Sequence, residues 1–306
     1  MSVLYRKYRP EKFDDVVGQS NVTEALKNQI IKGRIGHAYL FTGSRGTGKT
    51  TCAKIFARAI NCLSPVNGSP CGKCEACREL KSADCVDIIE MDAASNNGVD
   101  EIREIREKVK YAPAVAKKKV YIIDEAHMLT AGAFNALLKT LEEPPEHVVF
   151  ILATTEPQKI PLTILSRCQR FDFHRISPQA IADRLEYICS QENAEIERSA
   201  ALLIASIADG GMRDALSIMD QCASYTRDEI TVDAIDQIYG LATTSEKIGL
   251  IEDIQNKDLA SIMTRIQNYE EKGIDFVRYT DGMIDILKDS AVYSVCKKEE
   301  LLKVLN

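Results

Sequence analysis

The sequence predicts an α/β phosphate-loop domain built on a mostly parallel sheet and followed by two all-helical regions. Three observations carry this. Apolar strand-like runs alternate with helical patterns across residues 1–175, as expected where parallel strands are joined by crossover helices. A G-x-x-x-x-G-K-[ST] stretch, Gly43-Ser44-Arg45-Gly46-Thr47-Gly48-Lys49-Thr50, sits between one such run and a helical pattern. From Ser177 onward strand patterns disappear, whereas helical ones continue.

The first amphipathic helix places Val22, Ala25, Leu26 and Ile30 on one face, with Asn21 and Glu24 as its expected capping pair. Strands are expected at 38–42, 86–91, 119–123, 148–153 and 169–173, and helices at 49–61, 99–109 and 131–142. Ser177-Pro178 reads as a cap followed by proline in the first helical turn. Helices over 178–192, 197–208, 212–224 and 231–238 then form a small all-α domain. A third region begins near Thr243-Thr244-Ser245 and is helical to Asn306, with a helix start at Lys297-Lys298-Glu299-Glu300. Domain boundaries are therefore expected at 1–176, 177–242 and 243–306.

In the loop at 43–50, glycines let backbone N–H groups turn inward around a polyphosphate, and the helix N-terminus adds its dipole. Lys49 would reach the β- and γ-phosphates and the Thr50 hydroxyl would ligate Mg²⁺. A chance glycine-rich turn would lack the strand before it and the helix after it. The acidic partner is Val120-Tyr121-Ile122-Ile123-Asp124-Glu125. Two carboxylates ending an apolar strand imply a nearby cation, because an unpaired buried acid is costly. Asp124 would hold Mg²⁺ and Glu125 would orient the attacking water. The plain alternative is two acids capping the next helix.

Cys62, Cys71, Cys74 and Cys77 form C-x8-C-x2-C-x2-C just after the phosphate-loop helix. Four thiolates at this spacing suit a closed tetrahedral Zn²⁺ site. An iron–sulfur cluster is the rival reading, but its C-x3-C-P continuation is missing and Cys85 is followed by Val86. Four free thiols are the third. Cys52, Cys85, Cys168, Cys189, Cys222 and Cys296 are expected to be ordinary core residues.

The net charge of −6 argues against a strongly basic nucleic-acid binder acting alone. No membrane-spanning run or signal peptide is visible, so a cytoplasmic location is expected, with reduced cysteines.

With Tyr8-Arg9-Pro10, Val16-Val17-Gly18-Gln19, Met91-Asp92-Ala93-Ala94-Ser95, Asp124-Glu125-Ala126-His127, Phe134-Asn135-Ala136-Leu137-Leu138-Lys139, Glu142-Glu143-Pro144-Pro145 and Ser166-Arg167-Cys168, the chain resembles the AAA+ ATPases. More narrowly it resembles the gamma/tau family of bacterial clamp-loader motor subunits, along essentially its whole length. The cysteine insert is the most discriminating feature. The resemblance implies an AAA+ domain over 1–176 with a zinc insert at 62–77, a helical lid over 177–242 and part of a helical collar over 243–306. It implies ATP hydrolysis to ADP and phosphate within a five-subunit ring that places the sliding clamp on primed DNA, with no polymerase site in this chain. The family's collar is longer than 243–306, so a shortened chain is expected.

Further roles rest on the same resemblance. Nucleotide would be held by Gly43, Ser44, Arg45, Gly46, Thr47, Gly48, Lys49, Thr50 and Thr51, with Tyr8, Arg9, Val17 and Gly18 covering adenine. Thr155 would sense the γ-phosphate, and its alternative is a turn cap before Pro157. Arg167 would reach a neighbouring subunit's site as an arginine finger; otherwise it is a solvated or ion-paired arginine. Arg213 would be a second sensor, or else an ion pair with Asp214 or Asp209. Arg103 and Lys139 would meet DNA phosphates, although a solvated helix face reads equally well. The runs Lys117-Lys118-Lys119 and Lys297-Lys298 read as solvated faces. Another AAA+ DNA-remodelling ATPase, such as a branch-migration motor, remains the alternative function. A non-hydrolysing ring subunit is disfavoured by the intact Lys49, Thr50, Asp124 and Glu125.

Overall fold

The order β2-β3-β4-β1-β5, all strands parallel, defines the central sheet: β1 (Ala38–Thr42), β2 (Ile88–Asp92), β3 (Lys119–Asp124), β4 (Val148–Thr154) and β5 (Gln169–Asp172). The structure is a computed structural model describing residues 3–82, 85–225, 229–240, 243–271 and 273–297. The expected helix start at Lys298-Glu299-Glu300 lies outside these residues. Packing divides the chain into two compact units, Met1–Glu192 with Ala201–Asp220, and Asn193–Ala200 with Gln221–Asn306.

In the first unit the period-2 alternation of β1, β3 and β4 sorts their side chains onto two buried faces. Tyr39, Phe41, Val120, Ile122, Val149 and Ile151 point to one face. There they meet Leu26 of α2 (Ser20–Ile31) and Cys52 and Phe56 of α3 (Lys49–Asn61), after the short α1 (Leu4–Lys7). Leu40, Tyr121, Ile123, Phe150 and Leu152 point to the other face. Past α4 (Glu75–Glu79), that face is covered by Ile102 of α5 (Val99–Lys108) and by Phe134 and Leu137 of α6 (Ala131–Glu142). Because both faces are covered, these three central strands read as near-continuous apolar runs.

The expected capping pair of α2 is corrected. Gln19 stands at its N-cap, no side chain caps it, and Asn21 and Glu24 lie within the helix. The reason is tertiary: the buried Gln19 amide donates to the His174 carbonyl at 2.7 Å and accepts from the His174 N–H at 3.2 Å. That clamp to the chain beyond β5 starts the helix earlier than the local pattern does.

After α7 (Leu162–Leu165) the chain enters α8 (Pro178–Glu192), with Ser177 Oγ accepting from the Ala180 N–H at 3.3 Å as the cap–proline pattern predicts. α9 (Arg198–Ile207) and α10 (Met212–Tyr225) follow. Within the first unit, Ile181, Leu185, Ile188, Ile204, Leu216 and Met219 are buried. The expectation that strands end at Ser177 is corrected. β6 (Glu195–Ile196) and β7 (Glu229–Ile230) form a two-residue parallel pair in the second unit, too short to show any alternation in the sequence.

The second unit continues with α11 (Val232–Tyr239), α12 (Thr244–Gln255), α13 (Leu259–Glu271) and α14 (Phe276–Cys296). Thr243 and Glu246 form a capping box at α12. The phenols of Tyr269 and Tyr279 each donate to the Glu246 carbonyl at 3.2 Å, joining α12, α13 and α14 around Leu250 and Ile274. Cys52, Cys189 and Cys222 are buried as expected, whereas Cys85 and Cys168 are half-buried. Cys296 corrects the expectation, being exposed at the C-terminal end of α14.

Candidate functional site

The sheet order brings the C-terminal ends of β1, β3 and β4 side by side. Ligands in open parallel sheets bind beyond such ends. A cavity of about 770 Å³ opens there, within the first unit. The chain leaves β1 through Gly43, Gly46 and Gly48, which adopt φ of +147°, +77° and +101°, and Gly48 stands at the N-cap of α3. At Gly43 a side chain has no room: a Cβ would lie 2.4 Å from the Phe173 carbonyl oxygen.

Lys49 opens α3 yet is buried. Its Nζ donates to the carbonyls of Gly43 at 2.8 Å and Ser44 at 2.9 Å. Burial pulls its pKa below the ordinary lysine range, opposed by the negative charges of Glu125 and Asp124. Thr47 Oγ1 donates to the Ser44 carbonyl at 2.8 Å and tightens the loop.

Thr50 Oγ1 donates to Asp124 Oδ2 at 2.6 Å, joining residues 74 positions apart in sequence. Two hard oxygen donors so placed fit Mg²⁺. Glu125 takes a left-handed backbone, φ +47°, so the chain turns sharply as β3 ends. Thr155 Oγ1 donates to Glu125 Oε2 at 3.2 Å. The alternative cap role before Pro157 falls instead to Thr154, whose Oγ1 accepts from the Glu156 N–H at 3.0 Å. The His127 ring, between Glu125 and Glu156, completes this corner.

The cavity's opposite wall comes from the N-terminal segment and α10. Tyr8, Arg9 and Val17 line it, with Arg45 to Thr51 and Arg213. Gly18 does not; its φ of +73° makes a turn against Ile176, which does line the cavity. Arg9 Nε donates to Thr51 Oγ1 at 3.2 Å. The Met212 N–H donates to the Gly46 carbonyl at 3.0 Å, fixing the start of α10 on the phosphate loop. Arg213 lies over the Tyr5 ring, 5.0 Å from its centroid, and Asp209 pairs instead with Arg175. Tyr5, Asp92, Arg184 and Leu216 also line the cavity and escaped sequence reasoning. Of these only Asp92 carried a signal, standing in the Met91-Asp92-Ala93-Ala94-Ser95 motif; the structure puts it at the end of β2 in register with Asp124.

Arg167 stands away from this cavity, on the segment after α7. It pairs with Glu142 at 2.6 Å and donates to the Thr163 carbonyl at 2.7 Å. Arg103 on α5 pairs with Asp100 at 2.8 Å, and Lys139 on α6 is exposed.

The four insert cysteines converge. Cys62 caps the C-terminal end of α3, Cys74 caps the N-terminal end of α4, and Cys77 lies within α4. The Cys62–Cys74 and Cys71–Cys77 sulfur separations are both 3.9 Å, and all four sulfurs lie within 4.8 Å of one another. A Zn–S bond of about 2.3 Å gives a tetrahedron edge of about 3.8 Å, so the four residues fit one zinc ion. Backbone N–H groups of Lys73 and Cys74 pull the Cys71 thiol down to about 6, and burial pushes Cys77 up to about 12.

A family model described as DNA polymerase III, delta subunit, matches residues 18–177. A second, described as DNA polymerase III clamp loader subunit, ATPase lid domain, matches residues 180–228. Over 291 residues the chain is 51% identical to DNA polymerase III subunit tau of Bacillus subtilis (strain 168), covering 95% of this chain and 52% of that protein. Over 285 residues it is 44% identical to DNA polymerase III subunit tau of Escherichia coli (strain K12), covering 93% of this chain and 44% of that one. The chain spans about half the length of the curated relatives it matches. Among solved structures, the Thermotoga maritima RuvB Holliday junction branch migration motor superposes with a TM-score of 0.57 at 19% identity, covering 88% of this chain and 86% of that one. That likeness concerns the fold alone. Among the described residues no helix is long and apolar enough to cross a membrane.

Proposed function

The chain belongs to the gamma/tau family of bacterial DNA polymerase III clamp-loader subunits, and on that premise we propose that it is the ATP-hydrolysing motor of a clamp loader. The observation that carries this reading is the Thr50–Asp124 contact in a cavity that Lys49 and Glu125 also line, with Thr155 bonded to Glu125 from outside that lining. Lys49 exchanges its two loop carbonyls for phosphate oxygens when nucleotide enters. Thr50 and Asp124 would hold Mg²⁺, which when bound would supply neutralisation of phosphate charge. Glu125 accepts a proton from the attacking water as the new P–O bond forms and the bond to the ADP oxygen breaks. Thr155 fixes Glu125 or the γ-phosphate, and Arg213 meets phosphate from the α10 side. Tyr8, Arg9 and Val17 cover the base, with Gly18 shaping their turn.

Arg167 acts in a neighbouring subunit's site, where a guanidinium is worth about 10³–10⁵ in rate. Zinc on Cys62, Cys71, Cys74 and Cys77 is structural. The remaining ring subunits, the sliding clamp and primed DNA are the partners, with Arg103 and Lys139 supplying non-specific, salt-sensitive phosphate contacts. The work is cytoplasmic.

The test is ATP binding and turnover by the full-length protein, alone and with clamp, primed DNA and the other ring subunits. Lys49→Ala should lose ATP binding, and Glu125→Gln should bind ATP but stall hydrolysis. Wild-type turnover by either variant, or a rate that clamp and primed DNA leave unchanged, would overturn the reading.

A further inference from the structure

His127 belongs to none of the roles above, yet it occupies the best-connected position beside Glu125. Its side chain is only 8% exposed, and both ring nitrogens face oxygen. Nδ1 lies 3.1 Å from Thr154 Oγ1 and 3.5 Å from Glu125 Oε2, while Nε2 lies 3.3 Å from Glu156 Oε1. Glu125 Oε2 is the same oxygen that accepts the Thr155 hydroxyl. Glu156 is held in turn by Lys159 at 2.9 Å, and that pairing keeps its carboxyl below the usual range. Glu156 also opens the segment that runs through α7 to Arg167. A buried imidazole whose Nδ1 is shared between the Thr154 hydroxyl and Glu125 and whose Nε2 faces Glu156 transmits displacement, because a shift of Glu156 moves the ring and changes how Nδ1 is divided between those two oxygens.

We propose that His127 is a positioning residue that couples the aim of the Glu125 carboxylate to Glu156, and through it to the segment carrying Arg167. Engagement of Arg167 by a neighbouring subunit would pull on Glu156. The imidazole follows, and Glu125 Oε2 shifts between its hold on Thr155 and the direction of the attacking water. Turnover in one site would thus depend on whether the same chain's arginine is docked in the next. The inference rests on reading Glu125 as the general base.

The test uses the full-length protein in the assembled clamp loader, with clamp and primed DNA. ATP affinity is read by a fluorescent analogue and turnover by phosphate release, for His127→Ala, His127→Gln, Glu156→Gln and the His127→Ala/Glu156→Gln double variant. His127→Ala and Glu156→Gln should each lower kcat about tenfold with Kd within about twofold of wild type. The double variant should be no slower than the worse single variant. His127→Gln, which keeps a donor and an acceptor of similar reach, should recover part of the loss. Effects that multiply in the double variant, a loss confined to Kd, or unchanged kcat would overturn the coupling. Glu125→Gln in the same assay separates the two readings: if it turned over normally the general-base assignment would fail, whatever His127 does. Glu156→Gln, on a half-exposed side chain, keeps the test decisive should His127→Ala fold poorly.

Discussion

Alanine at Gly43 meets two separate costs, and Gly33 isolates one of them. Both glycines have positive φ, +147° and +63°, a backbone that L-residues rarely adopt. Holding alanine in such a conformation costs about 1–2 kcal/mol. At Gly33 nothing lies within 4 Å of an added Cβ, so the cost stops there. At Gly43 the Cβ would lie 2.4 Å from the Phe173 carbonyl oxygen and 2.9 Å from its Cβ. Most of that obstacle is backbone beside the sheet edge, which cannot rotate away. Overpacking adds about 1–3 kcal/mol, for a total of about 2–5 kcal/mol. For a unit of this size, Gly43→Ala should lower Tm by roughly 4–20 °C and Gly33→Ala by roughly 2–8 °C. Only Gly43→Ala should weaken ATP binding, since the clash with Phe173 would displace the first residue of the phosphate loop, whereas Gly33 lies outside that loop. Scanning calorimetry and ATP titration of both variants decide the matter. Equal Tm losses with equal ATP affinity would show that φ alone sets the cost and that the close approach to Phe173 is immaterial.

Two further expectations concern the scaffold around the site. Asp87 is buried and accepts the N–H groups of Ala114, Val115 and Ala116 at 2.9, 2.8 and 2.9 Å. Burial alone would raise its pKa, but these three N–H groups prevail and hold it below the usual carboxylate range. Its stabilisation is therefore complete above the unfolded value near ~3.9 and is lost as pH falls through the folded value. Asp87→Asn should cost about 2–4 kcal/mol at neutral pH in urea unfolding, and its stability should vary less with pH below about 4 than that of wild type; parallel acid slopes would refute this. For the cysteine site, elemental analysis should find one zinc ion per chain, and a chelator should lower Tm. Because Ser69 Oγ, between Cys62 and Cys71, accepts the buried Phe13 N–H at 3.3 Å, metal removal should also speed hydrogen exchange at Phe13. Metal-free protein from a chelator-free purification, or unchanged exchange after stripping, would reject a zinc strut.

Local features were legible without coordinates. The strand–loop–helix at 38–61, the acidic strand end at Asp124 and the four cysteines all depend on residues close in sequence. Short-range sterics, capping and periodicity dictate their form. The misreadings lay where distant chain intervenes. Gln19 starts α2 because His174 grips it across the fold, and the β6–β7 pair exists only because residues more than 30 apart meet. His127 carried a weak signal, two places after Glu125, but an imidazole beside an acid means little until its second nitrogen is seen to face Glu156.

The sequence by itself determined that this chain has a phosphate loop on a parallel sheet, an acidic strand end suited to a cation, and a thiolate cluster suited to zinc. Tertiary structure alone decided which of these residues touch. Sheet order sets Thr50 against Asp124 and Thr155 against Glu125. The bond from Met212 to Gly46 brings Arg213 over Tyr5. Residue type and spacing fix what a group can bind, because that chemistry is carried within a few bonds. Which groups share a site is fixed by strand order and helix packing, since distances across the fold follow from burying the whole core at once.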